Sequence, residues 1–473
     1  MKTVDRQILR LALPSIVSNI TVPLLGLCDV TVMGHVGGAA SIGAIAVGSM
    51  IFNVMYWLFV FLRMSTGGLT AQAYGACRWG VCRAVLHRSL TLALVFGGVI
   101  VVLQVPLQWL AFWLFQAEGD VAVSCLHYYY ICVWGAPAVL GLYVLTGWLV
   151  GMQDTRMPML IAIGQNVINI GLSLLLVVGF GMGINGLAIG TLTAQWAGFL
   201  MGLAVVLQTV KTIAPSSSAQ NPAPNNSTIK SMPSGGIQKK TRSDEEPKAG
   251  RSKVSGANSR LNLDIFLRTL CLVSVNLYFT SAGSAQGPLV LAANTLLMQL
   301  FLLYSYVMDG FANAGEALSG RYLGAADGAM LSRTVRHLFV WGAGVAAVFT
   351  IVYLVAGPLI LRLLTSDAAV VDTATIYLPW AVLIPVAGMG AFVWDGIFIG
   401  TTRSRGMLVS CFWASAAFFV LWFMLSPWLV NHALWIAMLA YLALRGLLQT
   451  ILWNMRSAPQ ETLSKRSGER TLG

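Results

Sequence analysis

Five ionisable side chains in or beside long apolar runs of this sequence are the candidates for chemistry: Asp29, Arg63, Asp309, Glu316 and Asp395. A charge near the centre of a bilayer costs about 2.5–3.5 kcal/mol on insertion scales, so each one implies a function or a partner. Asp29 is the clearest candidate. Pro14 and Pro23 precede it in the same run, and each proline removes a backbone donor and clashes with the carbonyl four residues back, which bends a helix. An acid carried on a bendable helix can take up a proton or a cation and release it as a gate moves. Neutral partners are available nearby in pattern: Asn166, Asn169 and Ser173 share one helical face, and Thr191 and Gln195 share another. Lipid offers such groups no hydrogen bonds, so these faces must turn inward. Helix-to-helix adhesion would use the same residues. Enzymatic chemistry has no comparable constellation. The five histidines (35, 87, 127, 337 and 432) fall in loops or at the ends of apolar runs, and the seven cysteines are scattered without metal or disulfide spacing. No catalytic residue, metal or cofactor is expected.

The elements that would position these residues are legible in composition. The chain is 57% hydrophobic and 10% charged, with a mean hydropathy of +0.75. Soluble domains spend roughly a quarter of their residues on charge. About 20 apolar residues cross a bilayer as helix, and twelve such runs are present, near 9–33, 41–66, 89–115, 126–150, 158–180, 184–209, 263–283, 289–314, 337–364, 375–400, 407–426 and 431–455. Runs this long exclude a transmembrane β-barrel. The expectation is an all-α polytopic membrane protein.

A net charge of +12 could suggest nucleic acid, but its placement argues for a membrane topology instead. Lys2, Arg6 and Arg10 precede the first run, and Arg78, Arg83 and Arg88 lie between the second and third. Arg321, Arg333 and Arg336 follow the eighth, and Lys465, Arg466 and Arg470 follow the twelfth. The alternate loops carry no Lys or Arg. This positive-inside pattern expects both termini in the cytoplasm of a multi-pass protein of the bacterial inner membrane. Arg63 is taken as the one base within a span. Residues 213–258 break the pattern with a Ser-, Pro- and Asn-rich stretch followed by mixed charge, which expects a disordered cytoplasmic linker. The chain then divides into a first lobe (1–212), the linker (213–258), a second lobe (259–456) and a tail (457–473).

The two lobes resemble each other. An offset of 249 (324 − 75) pairs Gly75 with Gly324, Gly141 with Gly390, Gly147 with Gly396, Gly151 with Gly400 and Arg156 with Arg405. Six spans per half put the pseudo-two-fold axis along the membrane normal, and such pairs enclose a central cavity and rock against each other, a transporter architecture. The charges break the symmetry: Arg63 pairs with Ala312, Glu316 with Gly67 and Asp395 with Thr146.

Five segments carry a resemblance: LALPSIVSNITVPLLGLCDVTVMGH at 11–35, FLRMSTGGLTAQAYGA at 61–76, DGFANAGEALSGRYLGA at 309–325, WDGIFIGTTRSRGM at 394–407 and NHALWIAMLAYLALRGL at 431–447. They resemble the multidrug and toxic compound extrusion (MATE) family, in particular its DinF subfamily. The resemblance implies twelve helices in two six-helix lobes that open alternately, and export of organic cations against proton or sodium entry. It places Asp29 on the family's coupling carboxylate in the first helix, Pro14 on its bending proline, and Asn169 and Thr191 on that carboxylate's polar partners. Ser173 stands where many relatives carry a second acid. A serine adds no charge, which favours a proton over sodium as the coupling ion. A lipid-linked precursor flippase is the alternative. It would want a strongly basic cavity, and one base against four acids points to small cationic substrates. A monomer in contact with lipid, with no nucleic-acid partner, is expected.

Overall fold

The computed structural model describes residues 2–36, 39–115, 119–218 and 248–469. Within them the chain is helical throughout: α1 (Lys2–Val36), α2 (Ala39–Trp57), α3 (Phe61–Gly75), α4 (Trp79–Val102), α5 (Gln104–Phe115), α6 (Gly119–Cys132), α7 (Ala136–Gly151), α8 (Arg156–Leu174), α9 (Gly183–Ser218), α10 (Lys248–Ser284), α11 (Pro288–Gly324), α12 (Gly328–Leu364), α13 (Ala368–Gly400), α14 (Ser404–Leu429) and α15 (Asn431–Glu469). Eleven spans among the described residues are long and apolar enough to cross a membrane. The second is built from α2 and α3, and the fourth crossing from α6 and α7. With α1 they make the twelve expected crossings. Large apolar side chains face outward, among them Val102, Trp109, Val355, Leu363 and Trp428. In lipid such a surface is the stable one.

Several boundaries differ from expectation. The third crossing starts at Trp79 and ends at Val102, so Arg83 and Arg88 lie on α4 itself, and 104–115 forms a separate helix. Arg side chains extend along a helix end toward water, so apolarity alone starts such a crossing too late. Helical backbone also enters the expected linker from both sides, to Ser218 and from Lys248. Residues 219–247, and the tail beyond 469, lie outside the described residues. His87, His127 and His337, expected in loops or at span ends, sit within α4, α6 and α12.

The internal repeat is visible in backbone geometry. The left-handed residues after α3 and α11, Cys77 (φ 54°) and Ala326 (φ 55°), are 249 positions apart, as are Gln153 (φ 67°) after α7 and Thr402 (φ 53°) after α13. Close approaches repeat in the same register. A Cβ on Gly75 would collide with the carbonyl of Arg321, and one on Gly324 with the carbonyl of Gln72. These two are mutual contacts across the lobe boundary, as a two-fold axis requires. The structure is two pseudo-symmetric six-helix lobes around a central cavity. Asp154, Asp327 and Asp367, outside the apolar runs, cap α8, α12 and α13 by accepting from the backbone N–H groups of Arg156, Met330 and Ala369, each at 2.9 Å.

Contacts between the lobes concentrate toward the end of the bundle that bears the Arg and Lys residues. Tyr322 donates to Gln7 at 2.6 Å, Gln72 to the carbonyl of Gly400 at 2.8 Å, and Gln153 to the carbonyl of Ala317 at 2.7 Å. Asp5 accepts from His337 Nδ1 at 2.7 Å and from Trp341 at 3.1 Å, tying α1 to α12. Deeper in, Arg63 donates to Asn313 and Asn19 to the carbonyl of Tyr306, each at 3.0 Å. Among the described residues no hydrogen bond joins the lobes beyond that depth. The cavity is therefore sealed toward the basic end.

Candidate functional site

The expected residues fall in two separate places. The first is inside the first lobe, where α8 packs against α1 and α9. Asn169 donates to Thr191 at 3.3 Å and Ser173 donates to Asn169 Oδ1 at 3.3 Å, and Asn169 and Ser173 are fully buried. The i and i+4 spacing that predicted a shared face thus delivers a real polar chain. Asn166, on the same stripe, turns instead to α1 and donates to the carbonyl of Thr21 at 3.1 Å. Gln195 leaves this group and packs its amide oxygen at Gly135. Asp29 stands half-buried on α1, and Tyr128 and Cys132 lie on α6 of the same lobe. Both are buried. The sequence reading missed this pair, although Tyr128 and Cys132, at i and i+4, share a helical face. Pro14 lies inside α1, beside Ala12 and Ile16, where Gly310 of α11 packs. The helix's weakest backbone point thus adjoins the lobe boundary.

The second place is the central cavity, of about 510 Å³. Arg63, Asp309, Glu316 and Asp395 all line it, together with aromatic rings such as Trp57, Tyr143 and Phe392. Ser305 donates to Asp309 at 3.4 Å along α11. Asp309, Asn313 and Glu316 follow at helical spacing, so one face of α11 brings four polar side chains to the wall.

Here the expected charge count fails. Arg63 is not the one base within a span. Arg268 of α10 and Arg445 of α15 are 3% and 5% exposed, and both line the cavity. Each forms an ion pair with Asp395, that of Arg445 at 2.5 Å, and Gln449 donates to the other carboxylate oxygen at 2.8 Å. Tyr441 accepts from Arg445 at 3.4 Å. Both arginines were visible inside the apolar runs 263–283 and 431–455. What sequence could not supply was their convergence on one acid from three helices. Asp395 is therefore a pinned carboxylate at the centre of a cluster of net charge +1, and the cavity's three acids face three bases. The cavity holds no excess of acid, so charge does not single out cationic substrates.

Two helical lobes in reciprocal contact around a polar, aromatic-lined cavity closed at one end define a polytopic membrane transporter. The chain belongs to the MATE family. The MatE family model matches residues 14–175 and 265–428, one segment in each lobe. The chain is 38% identical over 449 residues to the DNA damage-inducible protein F of Escherichia coli K12, covering 95% of this chain and 92% of that protein. It is similar in fold to a MATE transporter solved in a bent conformation, with a TM-score of 0.82 at 18% identity over 97% of both chains. An outward-facing multidrug resistance MATE transporter gives 0.78 at 18% identity over 96% of both.

Proposed function

We propose that this chain exports amphipathic compounds, organic cations among them, from the cytoplasm across the bacterial inner membrane in exchange for protons. The chain lies with both termini inside and works as a monomer in contact with lipid. The observation that carries the coupling ion is the makeup of the first lobe. Asp29 is the only acid within that lobe's described spans, and the chain of Asn169, Ser173 and Thr191 adds polar groups but no second charge. One carboxyl surrounded by neutral groups binds and releases one proton, whereas a sodium site without a second anion loses much of its electrostatic hold. Each inward proton supplies about 2.3 kcal/mol per 100 mV and about 1.4 kcal/mol per pH unit, enough for more than a tenfold substrate gradient.

The cavity's aromatic lining suits flat or bulky apolar bodies. Sealing toward the basic end makes this the state from which substrate leaves and a proton enters. A flippase for pyrophosphate-linked lipids would want unpaired bases in the cavity; two of its three arginines are instead engaged by Asp395. The test is efflux of ethidium from sodium-free proteoliposomes under an imposed pH gradient. Gradient-driven efflux that Asp29→Asn abolishes supports the reading, and efflux that needs sodium at fixed pH overturns it.

A further inference from the structure

The pseudo-two-fold axis places residue 67 opposite residue 316 (67 + 249 = 316), and the chain has Gly67 in one position and Glu316 in the other. Their backbones are equivalent: a Cβ on Gly151 would press on the carbonyl of Gly67, and one on Gly400 on the carbonyl of Glu316. They meet across the lobe boundary at the sealed end of the cavity. A Cβ on Gly67 would collide with Glu316 Oε1, so the carboxyl fits only because its symmetry mate has no side chain. Glu316 is 1% exposed, and Oε1 is buried with no hydrogen-bond partner. The residue nonetheless lines the cavity.

No described ionisable group around it contacts its carboxyl, although the guanidinium of Arg63, hydrogen-bonded to a neutral amide, keeps its charge. Arg63 of α3 donates to Asn313, Arg268 of α10 is bound to Asp395 of α13, and Asp309 on its own helix accepts from Ser305. Tyr143 of α7 is a phenol, and Thr146 beside it donates within its own helix. No ion pair to Glu316 is present among the described residues. An anionic oxygen held against backbone without a donor costs several kcal/mol, whereas the neutral acid does not. Closure of the lobes over Gly67 therefore accommodates the protonated side chain, and parting of the lobes at the basic end would hand the same carboxyl to water.

We propose that Glu316 is a second proton-carrying site, loaded from the cavity while the lobes are closed over Gly67 and emptied at the basic end when they part. This rests on the proton-exchange reading above and adds one proton per cycle to it. Because the carboxyl is part of the closing surface, protonation and closure are a single equilibrium.

The first measurement needs no substrate. Infrared difference spectra of the full chain in lipid, acid minus alkaline buffer, report protonated carboxyl groups. Glu316→Gln, a neutral isostere that keeps the closure contact, should lose one component that Asp29→Asn retains. In sodium-free proteoliposomes the proton-to-ethidium ratio, read where the pH and ethidium gradients balance, should fall by one proton in Glu316→Gln. Gly67→Ala should slow pH-driven efflux, and Gly67→Ala with Glu316→Ala should restore closure without restoring the lost component. An unchanged carboxyl band or an unchanged ratio in correctly inserted Glu316→Gln overturns the proposal. Wild-type efflux that ignores the pH gradient overturns the proton reading itself, a distinguishable failure.

Discussion

Replacing Asp395 by Asn tests whether the second lobe's carboxylate is a structural anchor. The side chain keeps its shape and can still accept from Gln449, but two guanidiniums that are 3% and 5% exposed lose their counter-charge. Removing one partner of a buried ion pair costs about 3–5 kcal/mol, because the other is left uncompensated. Here two are stranded within one cluster, so the upper half of that range is expected. On the scale that holds for domains the size of one lobe, about 2–4 °C per kcal/mol, the apparent Tm should drop by roughly 8–20 °C. Arg268→Gln or Arg445→Gln leaves a balanced pair and should cost less, near the about 1.5–3 kcal/mol of one hydrogen bond to a charged group. The triple variant removes every charge and should be far less damaged than the sum of the singles. Thermal unfolding of purified protein, followed by a thiol dye on buried Cys411 beside the cluster, reads all of these. A loss below about 1 kcal/mol in Asp395→Asn, or simple additivity in the triple, would refute the anchor.

Three further outcomes follow from the first lobe and the lobe boundary. Asp29→Asn should insert normally and lose pH-driven ethidium efflux; retained efflux at equal expression would remove Asp29 from the coupling site. Asn169→Ala deletes both hydrogen bonds of the buried chain and should cost about 1 kcal/mol per bond at most, with slower efflux and an altered pH profile rather than loss of fold; an unchanged profile would make the chain mere adhesion. The Asp5 carboxyl, ahead of the first span, is held below its ordinary range by the hydrogen bonds from His337 first and Trp341 second. A depressed carboxyl contributes above its unfolded value, near 3.8, and is lost only as pH falls through the lower folded value. The tie between α1 and α12 should therefore resist mild acid on Asp5's account, while Asp5→Asn should loosen it at all pH values, read as faster thiol labelling of cysteines introduced along that boundary.

Most of the architecture was legible because lipid demands it. Spans, lobes and repeat register come from one-dimensional signals, apolar length and glycine spacing, and the offset of 249 reappears in φ angles and in mutual glycine contacts. The chain of Asn169, Ser173 and Thr191 was readable from helical periodicity. What escaped were facts that depend on three helices meeting at a point. Arg268 and Arg445 looked like isolated charges until α10, α13 and α15 brought them to Asp395. The turn of Asn166 toward Thr21 of α1 was hidden because periodicity gives the face of a helix and not which helix it faces. Asp5 and His337 are 332 positions apart, and only the lobe boundary brings them together.

The symmetry of the backbone and the asymmetry of the charges divide the work between them. The contacts sealing the basic end at Gly75 and Gly324 are backbone against backbone, repeated in mirror roles by the two lobes, and contain nothing that titrates. A boundary made of such contacts alone would close equally well at any pH, and an exchanger built on it would leak substrate without ion movement. Coupling must come from positions where the two-fold is broken: Asp29 within one lobe, Asp395 pinned in the other, and Glu316 against Gly67 where the lobes touch. Of these, Asp395 already has its partners in the closed arrangement, which suits an anchor within the second lobe. On the proton-exchange proposal, that leaves the boundary between the lobes and the proline-bearing α1 as the places where a proton would change which closed state is favoured. A ligand shifts such an equilibrium only by its differential affinity for the two states. On the proposal above, Glu316 is buried against Gly67 when the lobes are closed and released from it when they part, which meets that condition.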